Sequence, residues 1–188
     1  MVSQRTYAPT AAALERVAVI PFYAHRSYQG ERVHGGVDAV IATRSVTDAV
    51  ATAIAHRGVH VLAREAVDEV VARVTRIAPA VDARILAEIA ERELGASGIV
   101  LGEVLRFRDS LEVTSASRVP SSVAFQLALY DAPAGEKVWA VRFDETQEIE
   151  EPDLVSDPDA NPPEPWLTAE EIARMGAFAV ADALLSTR

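Results

Sequence analysis

The chain has 188 residues, 49% hydrophobic and 24% charged, with a formal net charge of −10 and no cysteine, the profile of an ordinary soluble single-domain protein that can bury a core unaided. Without cysteine there are no disulfides, thiolate metal sites, cysteine nucleophiles or iron–sulfur ligands, and the acidic balance excludes broad nucleic-acid binding, which needs a clustered basic surface. No apolar run reaches the ~18–20 residues of a membrane-spanning helix, and residues 1–10 lack the apolar centre of a signal peptide.

Residues 1–13 are rich in Ala, Thr, Ser and Pro without apolar periodicity and read as a flexible leader or tether, leaving 14–188 as one α/β domain. Arg16 to Phe22 is a nearly continuous apolar run broken by Pro21, the pattern of a strand buried on both faces. Residues 23–36 are polar and glycine-bearing, a loop. From Val37 to Arg57 the residues favour a helix, with Val46, Val50, Ala53 and Ile54 on one face and Gly58 as its stop. Val59 to Leu62 is a second short strand. Ala66 to Val74 is a short helix with Val67, Val70, Val71 and Val74 along one side, and Pro79 interrupts it. Asp82 caps the next helix, whose buried stripe is Ile85, Leu86, Ile89, Ala90 and Leu94, and Gly95 ends it.

Gly98 to Leu105 is apolar enough for a central strand. Val123, Phe125, Leu127 and Leu129 alternate with smaller or polar residues, and Val138 to Phe143 follows a turn at Asp131 to Gly135, which makes a β-hairpin. Thr168 caps a last helix with Glu170 and Glu171 in its first turn, and Ile172, Met175, Ala179, Ala183 and Leu184 point inward. The order β-α-β-α-α-β-β-β-α predicts an α/β (α+β) fold. Its early strands need helical crossovers and its late ones pair as a hairpin, so the sheet is mixed with helices packed on it.

The charge is unevenly spread. Nine acids and no Lys or Arg lie between Asp144 and Glu164, leaving 19 acids against 18 bases elsewhere. Five of the ten prolines fall within 144–166, which therefore reads as a long acidic, Pro-rich loop rather than a helix or central strand. Loops of that length are uncommon in compact domains unless functional or disordered. A solvated connector accounts for it; partner binding is the sharper reading, with Glu148, Glu150, Glu151, Asp153 and Trp166 as candidate contacts.

Residue patterns that would carry chemistry are sparse. Gly95-Ala96-Ser97-Gly98 follows a helix C-terminus instead of opening a helix, so its N–H groups would not face a phosphate. His56 and His60 have an i, i+4 spacing, but Gly58 separates them and they would not share a helical face. His25 and His34 belong to the polar loop. Ser97 lacks the Gly-x-Ser-x-Gly surroundings of a nucleophile elbow, Glu88, Glu91 and Glu93 fit a wet helix face, and Asp153, Asp157 and Asp159 lack the pattern of a calcium loop. The sequence assigns no catalytic residue, metal ligand or cofactor.

Three stretches carry a family resemblance: Arg16-Val17-Ala18-Val19-Ile20-Pro21-Phe22, then Leu94-Gly95-Ala96-Ser97-Gly98-Ile99-Val100-Leu101-Gly102-Glu103-Val104, then Leu127-Ala128-Leu129-Tyr130-Asp131 with Gly135-Glu136-Lys137-Val138-Trp139. Together they resemble the curli-secretion-channel lipoproteins, the penicillin-binding-protein-activator lipoproteins and the amino-terminal domain of TolB, over most of residues 14–185. The resemblance implies an α/β domain on the periplasmic side of a bacterial outer membrane, tethered through a lipidated cysteine and often assembled in rings. A lipidated cysteine and an export signal would have to precede this chain. Residues 106–122 are too short and polar for a membrane-spanning hairpin, which needs two strands of ~9–11 residues with an apolar side.

The expectation is therefore a non-enzymatic lipoprotein-like scaffold assisting secretion or envelope assembly, of the polysaccharide-export or cell-wall-synthase-activation type. Its partners would be an envelope protein or itself as a homo-oligomer, with no nucleic acid and with membrane contact only through the anchor. The competing expectations are a carboxylate enzyme with a cleft near Asp144 and Glu145 and a small cytoplasmic binding module.

Overall fold

The computed structural model describes residues 1–6, 12–28, 36–77, 82–114, 117–147 and 166–186. Its elements in chain order are β1 (Val2–Thr6), a 3₁₀ turn (Ala12–Leu14), β2 (Arg16–Val19), β3 (Tyr23–Ala24), α1 (Ala39–His56), β4 (His60–Val61), α2 (Arg64–Ile77) and α3 (Ala83–Leu94). There follow β5 (Gly98–Arg108), β6 (Leu111–Thr114), β7 (Ser117–Val119), β8 (Ser122–Asp131), β9 (Lys137–Thr146) and α4 (Ala169–Leu185). The main sheet runs β1-β9-β8-β5-β2-β4, with β3 also paired to β5 as a seventh strand. β2 and β3 lie parallel to β5, and β4 parallel to β2, whereas β5, β8, β9 and β1 are antiparallel. This is the expected mixed sheet with helices packed on it.

The sheet has two unlike faces. Against one, α1 and α4 bury the larger core, including Val46, Val50, Ile54, Phe125, Trp139, Phe143 and Leu184. Against the other, α2 and α3 bury a smaller one around Ile20, Val67, Ala87, Ala90 and Ile99. The four α1 positions expected inside are all buried.

Two corrections concern amphipathic stripes. Ile85 of α3 is 50% exposed and Met175 of α4 is 59% exposed, although periodicity placed both inward. In α4 Ala179 is exposed as well, and the buried stripe is Ile172, Ala173, Gly176, Ala177, Val180, Ala181 and Leu184. The helix lies close to the sheet through small residues: a Cβ on Gly176 would stand 2.6 Å from the Phe143 ring. Close approach selected the small face, and the bulkier Met175 was left outside.

β2 and β3 are one strand interrupted. Both follow β5, but Pro21 has no N–H, and the buried Phe22 N–H turns away to donate to Thr47 Oγ1 of α1 at 2.9 Å. Thr47 Oγ1 in turn donates to Thr43 O at 2.7 Å. The Phe22 ring lies over Gly102, where a Cβ would stand 2.3 Å from it. The loop expected at 23–36 therefore begins as a strand and ends in a bridge from Gly36 to Arg108; His34 lies outside the described residues.

The supposed leader is also partly ordered into the fold. Val2–Thr6 pairs with β9 from Val2↔Phe143 to Thr6↔Trp139, the Trp139 indole N–H donates to Gln4 Oε1 at 3.2 Å, and Ala13 and Leu14 are buried. An edge strand needs one neighbour and half a buried face, so its polar composition concealed it. At the other end of β9, Asp144, Glu145 and Thr146 belong to the strand and not to the acidic loop.

Candidate functional site

Beyond the reach of α2 and α3, the second face of the sheet is open over β5, β8, β9 and β1. Its register is set by a bulge. β5 shifts between Val104 and Arg106, so that Arg106 stands opposite Ala124, Phe107 opposite Val123 and Arg108 opposite Ser122. A side-chain period of two would otherwise have turned Phe107 outward and both arginines into the core. With the extra residue, Phe107 is buried at 4% exposure against the α1 side, and Arg106 and Arg108 stand on the open face.

Two adjoining hollows occupy this face. One, of about 710 Å³, is lined by Arg5, Tyr23, Glu103, Gln126, Tyr130 and Arg142 among others. The second, of about 560 Å³, is lined by His25, Tyr28, Arg106, Arg108, Gln126 and Arg142 among others. Gln126 and Arg142 belong to both, which makes one continuous trough. Its floor is flat where Ala128 pairs with Ala140 across β8 and β9.

The charges are partly compensated. Arg106 Nη2 donates to Asp144 Oδ1 at 2.5 Å and Arg142 Nη2 to Asp144 Oδ2 at 2.8 Å, so a single carboxylate serves two guanidiniums. Gln126 donates through its amide to Glu103. Arg108 has no carboxylate partner among the described residues, and the Nε–H groups of Arg106 and Arg108 are both buried without an acceptor. Burial acts to raise the Asp144 carboxyl, but the hydrogen bonds and charges of Arg142 and Arg106 outweigh it and hold its pKa below the ordinary value. Partial burial and, after it, the Glu103 charge and hydrogen bond push the Tyr23 phenol up. Burial, with a smaller contribution from Asp38, pushes Tyr28 up to about 12; its hydroxyl donates to Val37 O at 2.5 Å. Neither phenol is poised to exchange protons near neutral pH.

The sequence-based candidates are scattered differently. Glu148, Glu150, Glu151 and Asp153 lie outside the described residues. Trp166 is half-buried on the approach to α4. The two ends of the acidic stretch are held together there: the Gln147 N–H donates to Ser121 O at 3.0 Å, the Leu167 N–H to Gln147 Oε1 at 3.1 Å, and Ser121 Oγ to Leu167 O at 2.5 Å. Asp109 Oδ1 then accepts the Ala169 N–H at 2.7 Å, and Thr168 with Glu171 forms the expected capping box of α4.

The remaining polar residues weighed from sequence have structural places. His56 ends α1 and His60 lies on β4, on separate elements as expected. Ser97 Oγ accepts the Arg16 N–H at 2.7 Å and donates to Arg16 O at 3.1 Å, joining the starts of β2 and β5. Glu88, Glu91 and Glu93 are on the wet face of α3, Glu93 paired with Arg73. Among the described residues no three metal-ligating side chains converge, and no helix is long and apolar enough to cross a membrane.

Among known proteins, no family model matches the chain, and no curated protein does. Solved structures do match. A PelC dodecamer from Paraburkholderia phytofirmans is 19% identical over 98% of this chain and 98% of that one, with a TM-score of 0.59. A second PelC dodecamer from the same organism is 17% identical over 98% and 97%, with a TM-score of 0.58. The lipoprotein GNA1162 from Neisseria meningitidis is 14% identical over 75% of this chain and 86% of its own, at 0.49. The likeness to PelC is one of fold. It covers nearly the whole length of both chains.

The trough was missed because its residues are distant in sequence and individually ordinary. Arg106-Phe107-Arg108 and Val141-Arg142-Phe143 are charged positions in alternating strands, a period-two signal that marks a wet face without saying that two strands bring their arginines together.

Proposed function

We propose that this protein is a non-enzymatic scaffold of the bacterial cell envelope that works as a closed homo-oligomer on the periplasmic side of the outer membrane. In this reading it assists secretion, as a polysaccharide-export type of accessory, and is held to the membrane by a lipid anchor on a segment preceding the chain described here. The observation that supports it is the shared fold with PelC, a protein solved as a dodecamer, over 98% of both chains. A trough without a converging acid–base or metal constellation among the described residues is consistent with binding more than with turnover.

Mass photometry of the purified chain across a concentration series tests the assembly, with a discrete multi-subunit species as the expected result. A strictly monomeric chain at the highest soluble concentration would remove the scaffold reading's structural basis. Fractionation of cells expressing the full-length gene product tests the location, which requires the outer-membrane fraction; recovery only in the cytosol overturns it.

A further inference from the structure

Among the described residues four buried side-chain nitrogen or oxygen atoms have no hydrogen-bond partner, and three of them gather at one end of the trough: Nε of Arg106, Nε of Arg108 and Oγ of Ser122. Ser122 is fully buried and pairs with Arg108 across β5 and β8, while the small Ala124 pairs with Arg106. Paired residues share a face of the sheet, so the orphaned hydroxyl and both guanidiniums lie on the trough side. Buried polar groups are nearly always hydrogen-bonded, and three orphans together mark a place where a ligand's oxygen atoms gain most. The charge there is one-sided as well. The hollow of about 560 Å³ at this end is lined by Arg106, Arg108 and Arg142 and by no carboxylate among the described residues. Asp144, behind them, accepts from Arg106 with one oxygen and from Arg142 with the other, so three guanidiniums face one carboxylate and two positive charges are left over. The chain as a whole has a net charge of −10, which makes this a local reversal of sign.

The occupant can be read from the chemistry along the trough. Guanidinium forks donate paired N–H bonds to oxyanions, and a phosphate monoester carries about 1.5–2 negative charges near neutral pH, enough to balance the surplus where a single carboxylate would balance half of it. Past Gln126 and Arg142, which line both hollows, the trough turns from donors to acceptors. The Gln126 amide donates to Glu103, leaving the Gln126 carbonyl oxygen and the remaining lone pairs of Glu103 to accept hydroxyl groups. An extended peptide is a poorer fit, because β8 is hydrogen-bonded on one side to β5 and on the other to β9 and offers no free backbone for strand addition. The volume is that of a small-molecule site. We propose that the arginine end of the trough binds a small phosphorylated, hydroxyl-rich molecule with the chemistry of a sugar phosphate, its phosphate on Arg108, Arg106 and Arg142 and its hydroxyls toward Gln126 and Glu103. Asp144 is a positioning residue that holds two of the three guanidiniums in place. The whole site lies within one chain, so it goes beyond the scaffold reading and does not depend on assembly.

Isothermal titration calorimetry of the full chain with glucose 6-phosphate, inorganic phosphate and glucose tests it, slightly above neutral pH and at low salt. Glucose 6-phosphate is expected to bind about tenfold or more tighter than inorganic phosphate, and glucose not to bind at all. Added salt should weaken both phosphates. Arg108→Gln is expected to lower the affinity for glucose 6-phosphate about tenfold or more, and Arg108→Lys to recover part of it, since the charge returns without the fork. Arg57→Gln removes an arginine paired with Asp182 on the opposite side of the sheet and should leave binding unchanged. Circular dichroism and thermal melting verify that each variant folds. The proposal is overturned if neither phosphate binds at millimolar concentration, or if glucose 6-phosphate binds no tighter than inorganic phosphate. It is equally overturned if Arg108→Gln binds like wild type, or if Arg57→Gln loses as much as Arg108→Gln, which would make the attraction one of overall charge. None of these outcomes bears on whether the chain assembles.

Discussion

The two faces of the sheet are built by the same strands and have opposite properties. On the α1–α4 face the side chains of β5, β8 and β9 are Val104, Phe125, Leu127, Leu129, Trp139, Val141 and Phe143, every one buried. One residue along each strand, the other face offers Glu103, Gln126, Ala128, Ala140 and Arg142. A purely protective sheet would have helices on both sides, as parallel sheets do. Here α2 and α3 cover β2 and the adjoining parts of β5 and β8, and the rest of the antiparallel half carries the open trough. Stability is thus concentrated on one face and recognition is available to the other.

Substitutions on the packed face are expected to break that division most severely. Phe125, with no exposure, stacks at 5.2 Å on Phe143 in the centre of the larger core. Phe125→Ala should cost about 3–5 kcal/mol, the transfer term plus a cavity that the surrounding strands cannot close. Urea denaturation reads this directly. The counterpart on the open face, Ala128→Ser, should shift stability by no more than about 0.5 kcal/mol. A comparable loss at both positions would mean that the open face is part of the core.

How far this asymmetry was legible in the sequence depends on the element. Alternation of Val123, Phe125, Leu127 and Leu129 with Ala124, Gln126 and Ala128 revealed a half-buried strand, because hydrophobic burial is periodic. The bulge at Leu105 was not legible. Nothing in Val104-Leu105-Arg106-Phe107 says which residue is extra, yet that insertion alone decides that the arginines face outward. β1 was hidden for a related reason: edge pairing is a backbone matter, and Val2-Ser3-Gln4-Arg5-Thr6 has one apolar side chain. The stripes of α3 and α4 were misjudged by part of a turn, because in a helix rich in alanine and glycine the closeness of packing outweighs the size of the side chain. Composition exposed the acidic stretch at once, but its candidate contacts Glu148, Glu150, Glu151 and Asp153 lie outside the described residues.

The interruption between β2 and β3 offers an intermediate test. Thr47→Val preserves shape but deprives the buried Phe22 N–H of its acceptor, and should cost about 1–3 kcal/mol. Thr47→Ser keeps the hydroxyl and should recover most of the loss apart from the missing methyl. If the serine variant were no better than valine, the hydrogen bond would not be what joins α1 to the break in the strand.

Smaller than the losses at Phe125 and Thr47 is the effect expected at Asp144, the carboxylate that divides itself between Arg106 and Arg142 on the open face. Its folded pKa lies below the ordinary value, so the folded state favours the ionised form more than the unfolded chain does. The resulting stabilisation is fully present above the ordinary carboxylate range and is lost as the pH falls through the folded pKa. Because the side chain is 36% exposed, solvent screening keeps the contribution under about 1 kcal/mol. Asp144→Asn should therefore be slightly less stable than wild type at neutral pH, and the gap between their denaturation curves should close on acidification. A gap that stays constant down to the lowest pH at which both proteins fold would mean that the pair acts through packing rather than charge.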